Sequence, residues 1–244
     1  MRVTFLGAGD AFGSGGQSHS GYLVEAGERV FLLDCGPPTL IGLKKIGFDS
    51  ARIDFVAISH LHGDHFGGLP FFLLEYQYEK PRTRPFLVAG PPGIEERVLA
   101  LHRAMYRELA DQPLPFPLNF QELTPNEPQT VAGIEVFPFR VPHQKKDISL
   151  ALRVTAGGKT VLYSGDTGWT EDLVRYSHGV DLFICECCFF DTRVDFHLSY
   201  PQIVRQRDRM GCKRLILSHL GREVLARAKD LTLETAHDGM VVEV

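Results

Sequence analysis

No stretch of the 244 residues stays apolar for the roughly 18 to 20 positions that a membrane-spanning helix needs. The N-terminus, Met1-Arg2 followed by the strand-like Val3-Thr4-Phe5-Leu6, has no signal-peptide core, so nothing predicts export or anchoring. Cysteines are few and odd in number. Of Cys35, Cys185, Cys187, Cys188 and Cys212, three crowd one strand-like segment, which is poor material for a disulfide framework and predicts a reducing, cytoplasmic setting. A basic surplus is lacking as well. Lys and Arg number 26 against 30 Asp and Glu, for a net charge of −4, so no broad phosphate-gripping face is expected. The pairs Lys44-Lys45, Lys145-Lys146 and Lys213-Arg214 read first as solvated surface. Low-complexity tracts are absent, and 44% hydrophobic with 23% charged residues is an ordinary globular balance. The length suits one large α/β domain, residues 1–244, better than two smaller ones.

What is present is a series of short β-branched or aromatic runs. They fall at Val3–Leu6, Val30–Leu33, Phe55–Ile58, Phe86–Val88, Ile134–Phe139, Leu150–Val154, Thr160–Tyr163, Leu182–Cys185 and Leu215–Leu217, and each reads as a strand. The clearest helix runs from Gly93 to about Leu109, where Ile94, Val98, Leu101 and Met105 repeat at spacings of four, three and four. Pro113 to Pro117 marks a loop, and Gly157-Gly158 a hairpin turn. Early hairpins, a helix-bearing middle and a second strand-rich half suggest two sheets packed face to face with helices outside.

Chemistry concentrates after the run Ile53–Ile58, in Ser59-His60-Leu61-His62-Gly63-Asp64-His65. Three imidazoles and a carboxylate fall within six residues of a strand's end, and these are ligand types for zinc and similar cations. By chance such a pattern arises in about one chain of this length in a thousand. Without a cation the cluster would repel itself or stay unsatisfied. The segment Gly7-Ala8-Gly9-Asp10-Ala11-Phe12-Gly13 is no dinucleotide fingerprint, because its third glycine is displaced and a loop and another strand follow instead of a helix.

These residues, with Phe5 to Gly9, Leu32 to Gly36, Ser59 to Leu69, Pro142-His143, Ser164 to Thr167, Cys185-Glu186, His197 to Ser199 and Leu215 to His219, resemble the metallo-β-lactamase superfamily. Within it they are most similar to the ribonuclease Z-like branch, which includes small cyclic-phosphate phosphodiesterases. The resemblance covers nearly the whole chain in order. It implies an α/β fold, an αββα four-layer sandwich of two mixed sheets with flanking helices. It also implies that His60, His62 and His143 hold one divalent metal, that Asp64, His65 and His219 hold a second, and that Asp166 bridges them. Zinc is the first expectation, with manganese, iron or nickel accepting the same ligands. A hydroxide between the metals would be the nucleophile, with Asp64 orienting it. Glu186 and His197 sit where the branch keeps a pair that protonates the leaving oxygen.

Other candidates are weaker. His19 lies in the loop Gly13 to Gly21, which could line the cavity, while His102, His178 and His237 match no ligand position. Cys185 and Cys187 fall on one strand face and Cys188 on the other, which reads as core packing. Lys145, Lys146 and Arg222 follow ligand positions and are candidate phosphate anchors. Phe71, Phe72, Tyr76, Tyr78, Tyr106 and Phe116 are candidate walls for a base or sugar, or core. The tRNA-holding arm of ribonuclease Z would fall between His143 and Asp166, where two strands and a turn leave no room for it. A metal-dependent hydrolase acting on a small cyclic or linear phosphodiester is therefore expected, without long tRNA contact or membrane, and with a homodimer common in the branch. A tRNA 3′-end endonuclease, a lactone or thioester hydrolase, and a metal-binding scaffold or sensor are the alternatives.

Overall fold

The computed structural model describes residues 1–244, and its strands form two seven-stranded sheets. In the first half the strands are β1 (Arg2–Gly7), β2 (Gly21–Ala26), β3 (Arg29–Leu33), β4 (Phe55–Ala57), β5 (Phe86–Gly90) and β6 (Leu118–Glu122). The second half carries β7 (Gln129–Val131), β8 (Ile134–Val141), β9 (Ser149–Ala156), β10 (Lys159–Tyr163), β11 (Leu182–Glu186), β12 (Arg214–Ser218), β13 (Glu234–Thr235) and β14 (Val241–Glu243). The helices are α1 (Thr39–Lys45), α2 (Gly63–Phe66), α3 (Leu69–Leu74), α4 (Ile94–Met105), α5 (Arg107–Ala110), α6 (Glu171–Ser177), α7 (Tyr200–Gln206) and α8 (Arg222–Ala226). None is long and apolar enough to cross a membrane.

Strand order is β14-β1-β2-β3-β4-β5-β6 in one sheet and β13-β12-β11-β10-β9-β8-β7 in the other. Both are mixed. β1, β2 and β3 pair antiparallel and β3 to β6 parallel, while β7 to β10 pair antiparallel and β10 to β13 parallel.

Strand alternation explains the layering, since successive side chains leave opposite faces. Phe31 and Leu33 enter a 26-residue core between the sheets, whereas Val30 and Leu32 of the same strand enter a second core under α3 and α4. On the other sheet Leu182 and Ile184 face inward, and Phe183 and Cys185 join a third core with Leu173 of α6 and Ile203 of α7. Sheets covered on both faces need apolar residues at consecutive positions, and that is why the strands read as continuous hydrophobic runs. The result is the expected αββα sandwich.

Several expectations need correction. The helix from Gly93 does not reach Leu109: it breaks at Tyr106 (φ −137°, ψ 64°), and α5 is a separate turn. Ile94 and Val98 are buried in the second core, but Met105 is 38% exposed, so the apolar stripe leaves the sheet before the helix ends. Phe72, Tyr76 and Phe116 are core, and Tyr78 is exposed on another face beside Lys44 and Phe71, so this aromatic group forms no substrate wall. Strands β2, β6, β7, β13 and β14 lie outside the nine runs. β2 is a buried central strand paired with β1 and β3, which the runs do not include. The other four are edge pieces of two to five residues, with little apolar burial to give them a signal.

Candidate metal centre

The parallel strands of both sheets end at one rim, and the candidate residues come from those ends. β3 leads to Asp34, β4 to His60, β8 to His143, β10 to Asp166, β11 ends on Glu186, and β12 leads to His219. Beyond β4 the chain turns through His60 and His62 into α2, whose first turn carries Asp64 and His65.

The structure brings all seven candidate ligands together around one oxygen. Asp166 Oδ2 lies 3.3 Å from His65 Nε2, 3.4 Å from His219 Nε2, and 3.8 Å from both His60 Nε2 and His143 Nε2. His65 Nε2 is 3.2 Å from Asp64 Oδ2, and His143 Nε2 is 3.0 Å from His62 Nδ1. Two overlapping donor sets result, His60, His62, His143 and Asp166, and Asp64, His65, Asp166 and His219. Ligand atoms at the usual zinc–nitrogen distance stand about 3.3 Å apart at the corners of a tetrahedron, so these spacings are those of a coordination shell. A second observation fits a cation. His60 Nε2, His65 Nε2, Asp64 Oδ2 and Asp166 Oδ1 are buried polar atoms with no hydrogen-bond partner in the protein, a costly arrangement unless something else satisfies them.

The opposite ring nitrogens are held. His65 Nδ1 faces Asp34 Oδ2 at 2.6 Å, His60 Nδ1 lies 3.1 Å from Ser59 Oγ, His143 Nδ1 donates to the Phe196 carbonyl at 2.8 Å, and His219 Nδ1 is 3.3 Å from Ser20 Oγ. Asp34 also accepts from the Ser59 amide and hydroxyl, each at 2.7 Å, and from the Tyr163 hydroxyl at 2.6 Å. Such outer contacts fix ring orientation and leave Nε2 aimed inward. Asp34 (φ 56°) and His219 (φ 54°) occupy the left-handed region that non-glycine residues avoid, a strain the packed surroundings hold in place. Asp34, Ser59, Ser20 and Tyr163 escape sequence reasoning as site residues, and the signal for Asp34 was its place at the end of an apolar strand.

Protonation follows the same geometry. Burial, with His65 next to it, pushes His60 well below the ordinary imidazole value, and burial lowers His62 and His143 too. These rings are neutral and free to donate a lone pair. His65 is also buried, yet Asp166 and Asp34 outweigh the burial and raise it well above normal. Burial would raise Asp64 and Asp166, but the adjoining His65 imidazole, by its close polar contact first and its charge second, brings Asp64 to about 2, and His219 and His65 take Asp166 well below the carboxylate range.

Above this centre opens a cavity of about 630 Å³, within the size range of small-molecule sites. Lys145, Lys146, Gln144 and Asp147 form one wall, Asp10, Ala11 and Phe12 another, and Phe189, Phe196 and His197 a third. Glu186 and His197 form a pair beside it. His197 Nδ1 is 2.8 Å from Glu186 Oε1, which also accepts the Thr167 amide at 2.7 Å, so the imidazole's Nε2 is left for the cavity. Burial lowers the His197 pKa, but the hydrogen bond and charge of Glu186 outweigh it and carry it up to about 9.

Three placements differ from expectation. His19 does not line the cavity; it bridges to Gly9, and its Cβ packs against Gly36. Arg222 opens α8 on the exposed side, away from the cavity. Cys185 and Cys187 are core, but Cys188 reaches the cavity wall, because the strand ends at Glu186 and its alternation no longer applies.

A model of the family described as anti-Pycsar protein Apyc1 matches residues 1–238. An uncharacterized protein of Mycobacterium tuberculosis, Rv1339, is 30% identical across 90% of this chain and 81% of its own length. The probable metallo-hydrolase YhfI of Bacillus subtilis is 28% identical across 90% of this chain and 87% of that protein. Among solved structures, the short form of human tRNase Z superposes with a TM-score of 0.81 at 25% identity, covering all of this chain and 99% of that one. The names of YhfI, a metallo-hydrolase, and of tRNase Z agree with the ribonuclease Z-like, metallo-β-lactamase character that the motifs carry.

Proposed function

The chain belongs to the anti-Pycsar protein Apyc1 family and is a metallo-hydrolase of the metallo-β-lactamase fold, and we propose from that premise that it hydrolyses small phosphodiesters, cyclic or linear. The observation that carries the proposal is the Glu186–His197 pair standing beside a seven-donor centre at the edge of one cavity.

His60, His62 and His143 would hold one divalent cation, and Asp64, His65 and His219 the other, with Asp166 shared. Zinc is favoured by the imidazole and carboxylate donors, and manganese, iron or nickel would suit them too. Bound there, such cations supply Lewis-acid polarisation of a phosphoryl oxygen and an acidified water. The rest of the work falls to the chain. Asp64, with one carboxylate oxygen unpartnered, orients the attacking water. Lys145 and Lys146 on the cavity wall offer cationic ends to the non-bridging phosphate oxygens. His197, kept protonated by Glu186, donates the Nε2 proton to the oxygen that leaves phosphorus and is then recharged from solvent.

A small substrate is supported by the segment between His143 and Asp166. β9 and β10 fill it as a simple hairpin, turning at Gly157 and Gly158 with φ of 57° and 73°, and no protruding arm extends from it. The test is a panel of bis-p-nitrophenyl phosphate, cyclic nucleotides, cyclic sugar phosphates, a tRNA precursor and lactones. Turnover of the small phosphodiesters is expected, and turnover confined to lactones or to tRNA would overturn the reading.

A further inference from the structure

His197 and Phe196 sit near the end of a segment, residues 188–198, that leaves β11 and returns to α7 with no strand or helix of its own. Its two ends are tied by Glu186, whose Oε2 accepts the amides of Cys188 and Leu198, both at 3.2 Å. Phe189 and Ser199 add a backbone bridge. The middle of the segment is held by a different carboxylate. Glu223, the second residue of α8, receives at Oε2 the consecutive amides of Phe190 (3.0 Å), Asp191 (2.9 Å) and Thr192 (2.9 Å), and at Oε1 the Thr192 hydroxyl. Four donors on one carboxylate, the Thr192 hydroxyl foremost, bring its pKa down to about 2.

Neighbouring contacts point the same way. Arg227, just past α8, pairs with Asp191 at 3.2 Å and lies 5.0 Å over the Phe190 ring, which in turn stacks on Tyr200 of α7 at 5.3 Å. α8 begins three residues after His219, and between them a Cβ on Gly221 would meet the Cys188 carbonyl at 2.0 Å. The turn that carries a donor of the metal centre is therefore packed directly on the root of the His197 segment. Glu223 itself does not line the cavity and cannot touch a substrate there.

We infer that Glu223 is a positioning residue: its carboxylate latches the 188–198 segment to α8 and so sets the reach of His197 toward the leaving oxygen. The second half of this statement rests on the phosphodiesterase reading; the latch does not. A peptide segment closed only at its ends has many arrangements, and three amides fixed in sequence remove most of them. Because general acid catalysis depends on hydrogen-bond reach, loosening the segment costs proton delivery more than it costs binding or attack.

Glu223→Ala, Glu223→Gln and His197→Ala, each with metal content measured, are compared on two esters of similar shape. Diphenyl phosphate needs a proton on its departing oxygen, and bis-p-nitrophenyl phosphate does not. Glu223→Ala is expected to lower kcat/KM for diphenyl phosphate roughly tenfold more than for the nitrophenyl ester, with a smaller effect for Glu223→Gln, which keeps one acceptor oxygen. His197→Ala should show the same selectivity, and adding Glu223→Ala to it should bring no further selectivity. In hydrogen–deuterium exchange, the amides of Phe190, Asp191 and Thr192 should be protected in the wild type and exchange at least about tenfold faster in Glu223→Ala. Equal losses on the two esters would overturn the positioning role, and unchanged exchange would overturn the latch. A wild type that cleaves neither these esters nor any other small phosphodiester refutes the phosphodiesterase reading instead, and exchange at those three amides then decides the latch alone.

Discussion

Around Asp166 each imidazole is defined by what its outer nitrogen touches. Asp34 on His65 and Glu186 on His197 are the two carboxylate partners, and they separate a ring aimed into the donor cluster from one aimed at the cavity. For His197 the consequence is a pH dependence. Its ordinary pKa is 6.5, and Glu186 holds it at about 9, so the acid form persists through neutrality and is lost as pH rises through the folded value. Glu186→Gln removes the charge and leaves burial to dominate. The basic limb of kcat/KM is then expected to move to lower pH, most visibly for substrates with poor leaving groups, and an unmoved limb would remove His197 as the acid. The same sign holds for stability: the pair's contribution is fully present below about 6.5 and fades as pH climbs toward about 9. Asp64 behaves differently. Without metal its charge is held by the His65 imidazole 3.2 Å away, which keeps its pKa at about 2, so Asp64→Asn gives up that pairing as well as a ligand position. Turnover should fall by at least about 100-fold, while the thermal midpoint measured without metal falls only by a few degrees; loss of the cooperative unfolding transition would mean that Asp64 is a structural residue.

Among the elements, strand ends carry the chemistry and strand starts carry part of the stability. Asp181, just before β11, accepts the Thr160 amide at 2.9 Å and meets Lys213 at 2.7 Å and Lys159 at 3.4 Å, joining the entries to β10, β11 and β12. The Lys213 hydrogen bond, with the Thr160 amide, holds its pKa at about 2. A depressed carboxylate stabilises the fold above its unfolded value near 3.8, and that gain disappears as pH falls toward about 2. Asp181→Asn should therefore cost about 1 kcal/mol at neutral pH and nearly nothing at the acid end, as denaturant midpoints across that range would show. Legibility followed the same division between strand and loop. The nine apolar runs were readable because both faces of a central strand are buried, and the His60 to His65 turn because ligand chemistry was compressed into six residues. The break at Tyr106 was not readable, since a spacing of four, three and four continues through it while the backbone does not. His19 and Arg222 were misplaced for a related reason: proximity in sequence to a ligand says nothing about the direction in which a loop side chain points.

At the scale of the molecule the centre exists only because the two sheets are packed. One sheet supplies Asp34 and the turn His60 to His65; the other supplies His143, Asp166, Glu186 and His219. Two buried tyrosines tie the halves reciprocally. Tyr163 of the second sheet donates to Asp34, Tyr22 of the first is 2.8 Å from Ser218, and their rings meet at 4.9 Å. A donor set split between sheets couples metal affinity to the core between them, so cation binding should raise the unfolding temperature as a ligand that binds only the folded state does. None of this cross-sheet geometry is present in any local segment. The order of motifs along the chain carried it only through resemblance, and packing made it a place. The most direct test of the account is a titration of chelator-stripped protein with zinc or manganese while turnover of bis-p-nitrophenyl phosphate is followed. The account predicts no turnover at the start and a rise that saturates at two equivalents per chain; turnover by the stripped protein, or saturation at one equivalent, would contradict it.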